Sequence, residues 1–328
     1  MNNSNFNRVL DLCVAAALLA GCSGSQPPIG APGAPAQAQM RSVATALALP
    51  RLTLAPRSPG YEVTAPLLYA VNNENWSVAV YRARAKDPAQ LAAITDGLEL
   101  SSGDCIDGQG TLYVTNEPPS GGWISEYPLG ETTPSRMITD GINEPGYCAI
   151  DAKGDLWVAN IDAPNVAEYL KGSKKPHTVI TNGLVYPVGV AIDRSGNLYV
   201  GNGNGAGEKN VEVYAPGRKS PSRTITNGVT SPLGLVVDSN GILYVANLNQ
   251  NTVAEYRSGQ SDPFQTITDA MDHPAGVAVD KKGVLYVSNI GNNTVVEFAP
   301  GSITPLKRQI SQGLSEPTGV AYYPALLP

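Results

Sequence analysis

Acidic and carboxamide side chains are the first candidates for chemistry in this chain. Asp104 stands in the stretch "SSGDCID", where equivalent stretches carry Val190, Leu235, Val277 and Val320. A carboxylate in place of valine needs a partner or a task. Glu99, Glu144 and Glu316 lie just ahead of such stretches, as does His273 in "DAMDHPAG". Asparagines recur at Asn72, Asn116, Asn160, Asn202, Asn247 and Asn289, each ending an "LYVAN"-like stretch. Carboxylates and carboxamides are hard oxygen donors, the kind that hold Ca2+ or Mg2+. If the asparagines form a ring around a common mouth, they suit a sugar or a cation. The plainer reading is favoured because every copy has one: each caps the turn after its strand. On that reading no cofactor is expected.

Other chemistries are poorly supplied. The chain has 2 histidines, His177 and His273, so a three-histidine metal site is excluded. "GNGNGAGEKN" (201–210) misses the GxGxxG spacing and has no following Lys-Ser/Thr, so it is not a phosphate loop. Neither a Gly-x-Ser-x-Gly elbow nor a Cys-x-x-Cys pair occurs. The formal net charge of −6, with no long basic run, argues against nucleic acid as a partner.

Elements of a repeat must position these residues. "GILYVANLNQNTVAEYRSG" (241–259) returns in register as "GVLYVSNIGNNTVVEFAPG" (283–301). Each unit runs P-x-G-V-A-x-D, a D-x-x-G turn, L-Y-V-x-N, V-x-E-Y-x-x-G and x-T-I-T-x-G. The asparagines recur 42 to 45 residues apart, a period that signals four-stranded β-propeller blades. Alternating β-branched and aromatic residues fill the strands, and 34 Gly and 27 Pro serve the turns. The turn aspartates Asp107, Asp151, Asp193, Asp238 and Asp280 read as hairpin turns.

Residues 274–298, "PAGVAVDKKGVLYVSNIGNNTVVEF", resemble the NHL repeat, and the likeness extends over about 67–323. It implies an all-β fold, a six-bladed β-propeller with P-x-G-V-A-x-D innermost. The first unit lacks an inner strand before it, and "PTGVAYY" (317–323) lacks outer strands after it. The C-terminal strand is therefore expected to join the first blade and close the ring. The architecture is also that of virginiamycin B lyase and gluconolactonase-type propellers. A gluconolactonase-like site implies Asp104, Glu99 or Glu144, and one asparagine on a divalent cation at the upper mouth, where the loops enter the inner strands. The shortage of histidine disfavours a lyase of the virginiamycin B type.

The N-terminus reads as a targeting segment. Arg8 precedes an apolar run too short to span a membrane. "LAGC", ending at Cys22, resembles the bacterial lipobox, which implies cleavage before Cys22, a diacylglyceryl thioether on its sulfur and acylation of the new amine. Residues 1–21 are then the signal peptide, 22–60 a Pro/Ala/Gln-rich tether and 61–328 the propeller. Cys105 and Cys148 lie on opposite faces of neighbouring blades. They either meet across the shared interface in a disulfide or stand as two buried thiols. The chain thus reads as a monomeric binding or scaffolding module for a protein, peptide or carbohydrate, lipid-anchored outside the cell membrane or to the outer membrane. The alternative is a metal-dependent lactonase or lyase.

Overall fold

The computed structural model describes residues 66–84, 88–118, 121–203, 209–325. All belong to the unit 50–328 of a chain that divides at Leu49. Signal peptide, Cys22 and tether fall outside the described residues. No described helix is long and apolar enough to cross a membrane.

Each repeat folds as the sequence pattern dictates. In the fifth blade, strands Pro232–Val237, Leu243–Asn247, Thr252–Tyr256 and Gln265–Ile267 form one antiparallel sheet. Asp238 Oδ1 accepts the N–H groups of Asn240 and Ile242, both at 2.8 Å, and Gly241 completes the turn at φ +79°. The same pair of contacts recurs at Asp107, Asp151, Asp193 and Asp280. These aspartates are turn formers.

Among the described residues, six such four-stranded sheets form a β-propeller. The inner strands Ser101–Ile106, Pro145–Ile150, Pro187–Ile192, Pro232–Val237, Pro274–Val279 and Pro317–Tyr323 pack side by side around the axis. Glycine makes that crowding feasible: a Cβ on Gly189 would stand 2.0 Å from Leu233 O, and one on Gly276 2.5 Å from Thr318 O. The C-terminal strand pairs with Leu67–Asn72, with Leu67 opposite Tyr323 and Ala70 opposite Val320. Closure is reinforced across the seam between the first and sixth blades. Tyr322 stacks on Tyr286 at 5.4 Å, and Arg84 pairs with Asp280.

Two side chains per repeat pin the loop between blades. The tyrosine of V-x-E-Y donates its hydroxyl to a loop carbonyl: Tyr127 to Asp96 O at 2.6 Å, Tyr169 to Asp140 O at 2.8 Å, Tyr214 to Asn182 O and Tyr256 to Asn227 O at 2.7 Å. The asparagine ending the second strand is the other pin. In four repeats the glutamate of the same motif, Glu126, Glu212, Glu255 or Glu297, is buried and bonded to the outermost strand, as Glu126 to Arg136 and Glu297 to Arg308.

Candidate functional site

The six asparagines are fully buried. Asn160, Asn202, Asn247 and Asn289 accept the N–H groups of Asn143, Val185, Thr230 and Asp272 at 2.9–3.1 Å. Their Nδ2 groups donate to Gly141, Gly183, Gly228 and Ala270 carbonyls. Asn72 does the same across the closing seam, to Ser315 N and Gly313 O. Asn116 accepts from Glu99 N, while Ser125 Oγ bridges it to Gly97 O. The role is structural. The carboxamide bridges the turn after its own strand, as Asn72 Nδ2 does to Ser77, Asn160 to Asn165, Asn247 to Thr252 and Asn289 to Thr294. It also clamps the loop before its own blade's inner strand.

The acidic loop residues and His273 differ in exposure. Glu99 is exposed, while Glu144, Glu316 and His273 are partly buried. The last three hold left-handed backbone, at φ 45°, 49° and 54°. Their carbonyls accept the N–H of Ile161, Asn73 and Ile290, which fixes the strand entry. Burial, with Asp162 nearby, raises the Glu144 carboxyl above the ordinary carboxylate range. His273 Nδ1 meets Asp272 Oδ1 at 3.1 Å. Asp104 is buried beside the channel, Glu99 is exposed, Glu144 is half-buried, and the asparagines are bonded to their loops.

The channel itself holds the blade-specific chemistry. Asp104 is only 7% exposed, and neither carboxylate oxygen has a protein hydrogen-bond partner beyond its own backbone amide. It borders a cavity of about 120 Å³ between the C-terminal halves of the inner strands. The other side chains lining it are apolar apart from Tyr322, with Val190, Leu235, Val277 and Val320 level with Asp104, but much of the lining surface is polar. The Cys105 and Cys148 sulfurs are bonded, with Cα atoms 5.6 Å apart, and form part of the same wall.

Two residues missed in the sequence complete this sector. Tyr147 takes the place of the inner-strand glycine seen at Gly103, Gly189, Gly234, Gly276 and Gly319. The close approach to the next strand passes instead to Gly146, where a Cβ would meet Val188 O at 2.6 Å. Tyr147 is buried and crosses the channel, its hydroxyl donating to Thr318 O at 3.1 Å, two blades away. Glu117 follows Asn116 where other blades carry Asn73, Ile161, Gly203, Leu248 and Ile290. It is buried, and its Oε1 is unpartnered. Burial, with Glu144 nearby, holds its carboxyl well above the usual range. The available signal was departure from the repeat at positions where every other blade is small or apolar.

Burial likewise holds the Asp104 carboxyl well above its ordinary range. The folded state therefore favours the protonated form. Stability is lost as pH rises from the ordinary aspartate range through the raised one. Asp104→Val, the residue that three other blades carry, is expected to stabilise the protein by about 2 kcal/mol at pH 7. The gain should shrink toward pH 4. Denaturant melts of both proteins at the two pH values check this; equal stability at pH 7 would show that Asp104 is well solvated.

No family model matches the chain, and no curated protein matches it. Solved structures do. One is a chain from the crystal structure of a nidogen/laminin complex, at 17% identity and TM-score 0.65, covering 79% of this chain and 98% of that one. Another is a protein of unknown function from Bacteroides caccae, at 12% identity and TM-score 0.64, covering 79% and 99%. The likeness is one of fold. A fold shared at these identities leaves the chemistry to individual side chains.

Proposed function

We propose that this chain is an exported, lipid-anchored propeller of the NHL-repeat kind that binds a ligand in its central channel and catalyses no reaction. The observation that carries the reading is the contrast between repeated and unique polar groups. The repeated ones, asparagine and turn aspartate alike, are spent on backbone hydrogen bonds. The blade-specific carboxylate Asp104 borders a cavity, with both oxygens buried and no protein partner beyond its own amide. Buried polar groups left unpartnered cost free energy, so their retention fits a ligand. The resemblance to a chain from a nidogen/laminin complex suits a peptide or protein as that ligand.

The immobilised protein is expected to retain a discrete ligand from envelope extract. Val236→Trp, which fills the cavity from its wall, should release it. Equal retention by both proteins would place binding elsewhere. Anchoring has its own check. Cells fed an alkyne fatty acid should label the wild type and not Cys22→Ala. Equal labelling would remove the anchor from the account. On this reading the chain works as a monomer on the outside of the cell membrane or on the outer membrane.

A further inference from the structure

Three features of the channel define what can occupy it. The first is charge. Asp104 borders the cavity with two buried oxygens that have no protein donor beyond its own amide, among side chains that are mostly aliphatic. A single buried carboxylate calls for a cation or a proton. The second is coordination. The residues level with Asp104 are Cys148, Val190, Leu235, Val277 and Val320, and Cys148 is spent in the disulfide. The Tyr147 hydroxyl is already committed to Thr318 O. Calcium takes roughly six to eight oxygen ligands and magnesium an octahedron, so with one carboxylate at this tier either would draw most of its ligands from backbone carbonyls and water. An ammonium is satisfied by far less. The third is shape. The cavity, about 120 Å³, runs past the apolar ends of the inner strands, Ile106, Ile150, Ile192, Val237 and Val279. That is room for a short alkyl chain.

We propose that this cavity takes a primary alkylammonium group, with its head bonded to Asp104 and its methylenes laid along the aliphatic wall. The pairing resembles the way a lysine stem lies on apolar surface while its amine keeps a polar partner. The amine can come from a free small molecule or from the lysine side chain of a partner protein; the recognition chemistry is the same. Tyr147 closes the channel beyond Asp104 and so sets how far the head travels. The inference rests on the channel being the binding site.

The test is calorimetric titration of the full-length protein with n-butylammonium chloride, n-butanol, calcium chloride and an N-acetyl-lysine methylamide. Saturable one-to-one binding of butylammonium is expected. Loss of the charge-assisted contact in Asp104→Asn and Asp104→Val should weaken it by about tenfold or more. Butanol, of similar length and no charge, should not bind. The lysine derivative separates the sources: if it binds comparably, the natural group is a lysine side chain, and if only butylammonium binds, a free amine. No saturable binding by the wild type, equal binding by Asp104→Val, or calcium binding that Asp104→Val abolishes would each overturn the proposal. In those cases release of the envelope ligand by Val236→Trp would still uphold channel binding, so the two failures are distinguishable.

Discussion

A chain ending at Glu316 is expected to aggregate or fall to protease, not to fold with a modest loss. The missing strand, Pro317–Tyr323, is the inner strand of the first blade and the last member of the ring. Its Val320, Ala321, Tyr322 and Tyr323 are each no more than 6% exposed. Burial of a large apolar side chain contributes about 1.5–3 kcal/mol. Three such side chains account for a sum comparable to the roughly 5–15 kcal/mol net stability of a domain. The truncation also bares the Leu67–Asn72 edge, uncovers the neighbouring inner strands and removes the Tyr322–Tyr286 stack. An open sheet edge is a template for aggregation. Limited proteolysis and a thermal melt of the truncated chain check this; a cooperative melt near the parent temperature would show that closure is dispensable.

Removing the disulfide should have the next largest effect. Cys105 and Cys148 are 43 residues apart and join the second and third blades. Closing a loop of that length stabilises by about 4 kcal/mol on chain-entropy grounds. The double variant Cys105→Ser, Cys148→Ser is expected to lose most of that in denaturant melts, and the wild type to lose the same on adding reductant. Thiol titration of the unfolded, unreduced protein should find neither cysteine. Two free thiols, with unchanged stability in reductant, would contradict this.

How much was legible in the sequence depended on the range of each interaction. Strands, Asp turns and ring closure follow from local pattern and from what the terminal segments lack, so "PTGVAYY" could be assigned to the first blade before any coordinates. The asparagine clamp could not be read so easily. Asn247 bonds to Thr230 and Gly228, on the far side of an inner strand, and no local rule links them. The candidate site was half visible. Asp104 stood out because valine was expected there. Tyr147 and Glu117 departed from the repeat just as sharply. Their meaning lies in cross-channel contacts such as Tyr147 to Thr318, which join blades that are not neighbours.

The central claim is that a ligand occupies the channel. In-cell photocrosslinking tests it most directly, with a diazirine amino acid placed either at Val236, on the cavity wall, or at Lys307, on an outermost strand. The account predicts a discrete adduct from position 236, lost when Asp104→Val is added, and none from position 307. The same adducts from both positions, or an adduct at 236 that Asp104→Val leaves unchanged, would contradict it.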